Sequence, residues 1–110
     1  MPVQEVSSID KFREIINSGQ PSVFDFWATW CGPCKAISPV FEKFSDSEEF
    51  RGVGFYKVEV DSAQDIAQAV GIRSMPYFIL WKDGEQKAGF PGAVPQNLEK
   101  LVRYAKTFAA

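Results

Sequence analysis

An apolar run followed directly by two closely spaced cysteines is the most constraining feature of this 110-residue sequence. Residues 23–28 read Val-Phe-Asp-Phe-Trp-Ala, which predicts a buried strand. In the span Cys31-Gly32-Pro33-Cys34, the proline suits a first helical position because its missing N–H would have no partner there. Apolar residues then recur at helical spacing at Ile37, Val40, Phe41 and Phe44. We therefore expect the chain to pass from a strand into a helix at the cysteines.

The spacing of the two cysteines predicts a disulfide that can open and close. Residues three apart on a helix have Cβ atoms roughly 5–6 Å apart, and a disulfide tolerates Cα separations of about 4.4–6.8 Å. Cys31 would begin the helix, where free N–H groups and the positive dipole end favour a thiolate. The thiolate is the nucleophile of disulfide exchange. The spacing thus indicates a redox site in which Cys31 is the exposed, low-pKa sulfur and Cys34 the shielded one.

Two other interpretations of the cysteines are weaker. A purely structural disulfide across so short a loop would contribute only about 2 kcal/mol. A zinc site needs about four ligands, usually cysteine and histidine, and this chain has two Cys and no His. Redox activity is the interpretation that the sequence favours, and no metal site is expected.

Composition predicts one globular domain spanning 1–110, since the chain is long enough for a single core and 45% hydrophobic. Its 12 basic and 14 acidic residues give a net charge of −2, which offers no argument for binding nucleic acid or anionic membrane. No apolar run approaches the roughly 20 residues of a membrane span. The first six residues lack the basic flank and apolar core of a signal peptide. A cytoplasmic location is the resulting expectation, and a thiol pair there is usually catalytic.

The rest of the chain predicts one alternating α/β unit. The predicted elements begin with a weak strand over 3–6, a helix opened by a capping box at 7–10, a strand over 22–28, and a helix from Pro33 towards Ser47 kinked at Pro39. They continue with a strand over 53–60, a short helix that starts at 62–65 and ends before Gly71, a hairpin of 77–81 and 86–90 around Asp83-Gly84, and a helix beginning near Pro95. The hairpin makes the last two strands antiparallel.

The segment 26–35, Phe-Trp-Ala-Thr-Trp-Cys-Gly-Pro-Cys-Lys, resembles the active-site segment of thioredoxins. Segments 57–61, 74–76, 82–84 and 92–93 fall in the order and at the spacings of that family. The resemblance covers essentially the whole chain. It implies the thioredoxin fold, a mixed five-stranded sheet flanked by four helices in the order βαβαβαββα.

Asp25 interrupts the apolar strand six residues before Cys31, and a buried carboxylate is costly unless it is neutral or paired. From the strand alone, an aspartate that reaches solvent is about as reasonable as a functional one. The resemblance implies that Asp25 lies beneath Cys34 and accepts or donates its proton, through a water. It also implies Lys57 as the partner of Asp25, against the alternative of a lysine reaching out to solvent from its strand.

The Met75-Pro76 bond is expected to be trans from base rates, whereas the resemblance implies a cis proline against the disulfide. A cis bond would aim the backbone of residue 75 at an incoming peptide, which could pair with it as an added strand. The resemblance also implies an apolar collar around Cys31 that binds target proteins. Its residues are Trp30, Gly32, Ile72, Met75, Pro76, Gly92 and Ala93.

The implied function is that of a protein-disulfide reductase and general electron donor to target proteins. The implied electron source is NADPH through a thioredoxin reductase, with no cofactor bound to this chain and the Cys31–Cys34 disulfide as its redox group. The expected state is a monomer, with a weak dimer through the active-site face as an option. Tyr77 and Pro91 depart from the usual family pattern and bear on partner preference. The alternative is a binding or scaffold subunit whose contact surface matters more than turnover.

Overall fold

The predicted central strand is the middle of a five-stranded sheet in the computed structural model, which describes residues 3–109. The elements are β1 (Gln4–Glu5), α1 (Ile9–Ile16), β2 (Ser22–Trp27), α2 (Gly32–Asp46), a 3₁₀ turn (Glu48–Phe50), β3 (Gly54–Glu59), α3 (Gln64–Val70), β4 (Tyr77–Lys82), β5 (Glu85–Pro91) and α4 (Pro95–Lys106). The strand order is β1-β3-β2-β4-β5; β1, β3 and β2 run parallel, and β4 and β5 run antiparallel to their neighbours. The mixed sheet and the order βαβαβαββα are confirmed.

Side chains of β2 alternate between two hydrophobic layers. Val23 packs in the layer with α2 and α4, whereas Phe24 and Phe26 pack in the layer with α1 and α3. Successive strand side chains point to opposite faces, so Asp25 lies on the α2 face. The same alternation places Lys57 on that face of β3, directly beside Asp25 in the parallel register. Both helical layers keep this central strand away from water, as its unbroken apolar run predicts.

The hairpin prediction is confirmed in detail. Strands β4 and β5 are joined by Asp83 and Gly84, which have φ values of 53° and 78°. Positive φ at both central residues is the type I′ turn that Asp-Gly favours, because its twist matches that of the flanking strands.

One local prediction, at the start of α1, needs correction. The capping box at 7–10 is reduced to a single cap: the Ser8 hydroxyl accepts from the Lys11 N–H at 3.2 Å, and Lys11 stands where the box needs Glu or Gln. Helix α2 runs from Gly32 to Asp46 with Pro39 inside it, and the kink at Pro39 stays a prediction. No helix within residues 3–109 is long and apolar enough to cross a membrane.

Candidate active site

Cys31 and Cys34 form a disulfide at the start of α2, with their Cα atoms 5.3 Å apart. Cys31 is the N-cap residue: its φ and ψ are extended, and its sulfur accepts a hydrogen bond from the Cys34 N–H at 3.2 Å. Pro33 lies in the first turn, where a missing N–H has no cost. The first turn therefore directs an N–H group at the sulfur that the sequence predicts to be the nucleophile.

The burial of the two sulfurs differs from prediction. Cys31 is 6% exposed and Cys34 is 2% exposed, so both are buried. Ala28 and Met75 pack against the two cysteines. The predicted exposed Cys31 is therefore wrong for this oxidised state, although Cys31 remains the more accessible of the two.

Asp25 is 4% exposed, and its Oδ1 has no hydrogen-bond partner among the residues described. Burial raises the pKa of Asp25 to about 7, and the positive charge of Lys57 lowers it only in part. Desolvation favours the neutral acid. The solvent-facing alternative for Asp25 is thus wrong, because the strand is covered by helices on both faces.

Lys57 lies beside Asp25 in the sheet register, but the two side chains make no ion pair within 4.0 Å in the described structure. The Lys57 ammonium instead lies 5.5 Å from the centre of the Trp27 ring, a cation–π geometry. A direct salt bridge would stabilise the carboxylate and hold its pKa low. Lys57 is therefore an electrostatic neighbour of Asp25 with its ammonium engaged elsewhere.

A cavity of about 70 Å³ connects Asp25 to the second cysteine. Its lining residues are Asp25, Trp27, Cys34, Lys35, Ser38 and Lys57. A water's share of liquid volume is about 30 Å³, so the cavity has room for about two waters. It is the geometry that a water-mediated proton transfer between Asp25 and Cys34 requires.

Two loops meet beside the disulfide. The Met75–Pro76 bond is cis, as the resemblance implies, and Met75 packs against the cysteines. The Gly92 N–H donates to the Pro76 carbonyl at 2.8 Å, which joins the two loops. A side chain on Gly92 would meet nothing within 4 Å, but its φ of 98° favours glycine. The loops therefore present an open face beside Cys31.

The remaining collar residues are distributed around this face. Trp30 is 67% exposed and is the most exposed large hydrophobic residue described. Gly32 faces open space. Ile72 packs on the α1–α3 layer, and Ala93 packs on the α2–α4 layer, so these two lie at opposite flanks.

Sequence reasoning missed Asp61 and Ser38. The Trp30 indole N–H donates to Asp61 Oδ2 at 2.8 Å, across 31 residues of sequence. Asp61 follows β3 at the same end of the sheet as the cysteines, and its contact with Trp30 depends on the parallel register of β2 and β3, which the sequence does not give. Ser38 stands four residues after Cys34, a spacing that places both on one helix face.

Tyr77 and Pro91, the departures from the family pattern, are register partners at the ends of β4 and β5.

No group of three His, Cys, Asp or Glu side chains suited to a metal ion occurs within residues 3–109. The chemistry at this sheet edge rests on two sulfurs that can pass between dithiol and disulfide while the helix stays in place. The fold and the cysteine pair define a thiol–disulfide oxidoreductase.

Comparison with known proteins gives the particular family. The family model "Thioredoxin" matches residues 3–107. The chain is 48% identical to a thioredoxin of Coprinus comatus, covering 92% of this chain and 95% of that protein, and 50% identical to one of Malassezia sympodialis, covering 91% and 95%. The solved M. sympodialis thioredoxin superposes with a TM-score of 0.91 at 47% identity, covering 96% of this chain and 95% of that one.

A second solved structure, from a study of how a yeast mitochondrial 1-Cys peroxiredoxin is resolved by glutathione and thioredoxin systems, has a TM-score of 0.86 at 35% identity, covering 93% and 94%. The chain belongs to the thioredoxin family, of the fungal type. Its function is reduction by dithiol–disulfide exchange through Cys31 and Cys34.

Proposed function

We propose that this thioredoxin is a general electron donor to disulfide-containing target proteins, recharged by a thioredoxin reductase with electrons from NADPH. The observation that supports this most is the redox pair at the start of α2 with a buried carboxyl group of raised pKa behind it. The chain itself holds no cofactor in this proposal. Its redox group is the Cys31–Cys34 disulfide.

In the first step, Cys31 thiolate attacks a target disulfide. A bond forms between Cys31 sulfur and one target sulfur, and the other target sulfur leaves as a thiolate. The Cys34 N–H that donates to Cys31 sulfur stabilises the negative charge before attack. This contact and the helix N-terminus are the reasons for assigning the nucleophile to Cys31.

In the second step, Cys34 loses its proton and attacks Cys31 sulfur, and the reduced target leaves. We assign Asp25 as the proton acceptor, working through water in the cavity that both residues line. A pKa near 7 suits an acid–base group to neutral pH. Lys57 keeps that pKa from rising further.

The collar forms the target-binding face in this proposal. Trp30 and Met75 supply apolar contact beside Cys31, while Gly32 and Gly92 leave room for a target backbone. Such a surface suits varied partners, since flexible and apolar side chains adapt to different shapes. Peroxiredoxins are one target class in this proposal, because a related thioredoxin was studied with one. The protein works as a monomer in the cytoplasm, and dimers through this face are weak.

The direct test is reduction of insulin disulfides with dithiothreitol, and then with NADPH and a thioredoxin reductase, as the electron source. Turnover above the uncatalysed rate with both sources supports the proposal. Turnover with dithiothreitol alone would remove the reductase from it. A variant with both cysteines replaced by serine serves as the control, and any cellular role that it retains would favour the scaffold alternative.

A further inference from the structure

Two residues that line the cavity behind the disulfide have buried polar atoms without hydrogen-bond partners among the described residues. Asp25 Oδ1 and Trp27 Nε1 are both buried, and neither has a hydrogen-bond partner among the described residues. Buried polar atoms are nearly always satisfied by protein or by ordered water. Both residues line the cavity of about 70 Å³ that reaches Cys34. The cavity therefore has the volume and the polarity to hold water.

Ser38 supplies a hydroxyl group to the lining of this cavity. It is half-buried, and it lines the cavity one helical turn after Cys34. Serine inside a helix commonly bonds back to the carbonyl four residues earlier, yet within residues 3–109 the Ser38 hydroxyl has no protein partner. The next residue, Pro39, has no N–H to offer the carbonyl of Lys35, which lines the same cavity. This turn of α2 thus has unused capacity to bind water.

The other groups around the cavity are poorly suited to carry a proton outward. The charged and titratable groups facing Asp25 are Lys57 from β3, with Cys34 and Lys35 from α2. Lys57 lies over the Trp27 ring, and an ammonium donates without accepting. A serine hydroxyl both donates and accepts, so it can pass a proton along a chain of hydrogen bonds.

We propose that Ser38 is a positioning residue that holds the outer water of a short chain linking the Asp25 carboxyl to solvent. The proposal rests on the proposed role of Asp25 as proton acceptor. In the second step the Cys34 proton passes to Asp25 while Cys34 sulfur bonds to Cys31 sulfur. The electron pair of the Cys31–target bond leaves with the target sulfur. In the same step Asp25 passes that proton on to solvent through the water chain at Ser38, so the chain contributes to the rate at which Cys34 resolves the mixed disulfide. The departing target thiolate takes up an equivalent proton from solvent.

The test follows the two exchange steps separately. Reduced protein is mixed with excess dithiobis(nitrobenzoate), which releases one coloured thiolate when Cys31 attacks and a second when Cys34 resolves the mixed disulfide. The first rate depends on reagent concentration, and the second does not. Ser38→Ala should slow the second phase on the order of 10-fold near neutral pH, less than the 10²-fold or more expected of an acid–base group itself. The first phase should be unchanged.

Matched variants identify the cause. Ser38→Thr keeps the hydroxyl and should restore the second phase. The Ser38→Ala deficit should shrink as pH rises, because hydroxide then deprotonates Cys34 directly. Ser18→Ala removes an exposed hydroxyl in the turn before β2, at the end of that strand away from the cysteines, and should leave both phases unchanged. Alanine favours helix, so denaturant melts should show Ser38→Ala folded.

Three results would overturn the inference: an unchanged second phase in Ser38→Ala at every pH, a deficit that does not vary with pH, or a deficit that threonine does not repair. Asp25→Asn separates this failure from that of the proposed function. If Asp25→Asn slows the second phase and Ser38→Ala does not, only the role of Ser38 fails. If Asp25→Asn leaves the second phase unchanged, the role of Asp25 fails, and that of Ser38 with it.

Discussion

Asp25 and Glu49 show two opposite treatments of a carboxylate within one small protein. Asp25 is buried on the central strand β2, near the cysteines, and it has no direct ion pair in the described structure. Burial raises its pKa. Glu49 is exposed beside α4, where the Arg103 guanidinium bonds to it at 2.6 Å and lowers its pKa. Lys106 adds a weaker contact at 3.9 Å, and Arg103 stacks on Phe50.

The contrast separates two uses of charge. The Glu49 cluster ties the 3₁₀ turn to α4 and keeps every charge paired, so it favours the folded state. At Asp25 the fold keeps an acid away from water and from a direct partner, which makes its ionisation unfavourable. That arrangement costs stability above the acid's ordinary pKa and leaves a group that can take up a proton near neutral pH. We expect changes at Asp25 to affect the rate of disulfide exchange, and changes at the Glu49 cluster to affect only the stability of the fold.

The largest expected effects are at the cysteines. Cys31→Ser should abolish reaction with target disulfides, because it removes the nucleophile. Cys34→Ser should attack normally and then accumulate mixed disulfides, because nothing displaces the target. Mass spectrometry of each variant after mixing with an oxidised target distinguishes them. Mixed disulfides formed by Cys31→Ser would reverse the assigned roles.

The next largest effect is expected for Asp25→Asn, which should slow the exchange reaction and stabilise the fold. It should slow the Cys34 step by about 10²-fold or more, while attack by Cys31 changes less. It should also raise the free energy of unfolding above pH 7 by about 2–4 kcal/mol, since each pKa unit is worth about 1.4 kcal/mol.

The pH dependence fixes the sign of the Asp25 effect. With a folded pKa of about 7 and an ordinary value of 3.8, wild-type stability should fall as pH rises between those values and level off above them. Below pH 4 the wild-type protein and Asp25→Asn should have similar free energies of unfolding, because Asp25 is then protonated in both the folded and the unfolded state. Denaturant melts of both across this range provide the measurement. An asparagine variant that is less stable at every pH would identify Asp25 as a paired structural carboxylate.

A smaller effect is expected at Asp61, which holds the exposed Trp30 indole. Asp61→Ala should raise KM for a protein disulfide about fivefold, the equivalent of one hydrogen bond of about 1 kcal/mol. Rates with a small aromatic disulfide should not change, because such a small substrate contacts less of the collar than a protein does. Asp61→Asn keeps an acceptor oxygen and serves as the control. Equal losses with both substrates would indicate a general structural role.

The smallest effect is expected at Glu49, where the charge is exposed and screened by salt. Glu49→Gln should lower thermal stability slightly at neutral pH and leave both exchange steps unchanged. Since the folded pKa of Glu49 lies below 4.5, the loss should be present above that value and disappear as pH falls through the folded one. Melts at low and high salt provide the check. A change in redox rate here would break the separation of the two regions.

Much of the redox site was predictable from local sequence. Pro33 and the apolar positions after Cys34 predict where α2 begins, and the three-residue spacing predicts the disulfide. The contacts of Trp30 with Asp61 and of Lys57 with Trp27 were not predictable, because each joins residues about 30 apart in sequence. Nor was the burial of Cys31, since it depends on packing by Met75 from a distant loop.

The sequence by itself determined the order of elements, the hairpin at Asp83-Gly84 and the position of the cysteine pair, because these depend on local periodicity and turn conformation. Only the tertiary structure decided the environment of Asp25. The alternation of β2 turns this carboxyl towards α2, and the register sets Lys57 beside it. Packing then excludes bulk water and leaves one small cavity towards Cys34 and Ser38. The pKa of an acid depends on the charges and solvent around it, and those come from parts of the chain that meet only on folding.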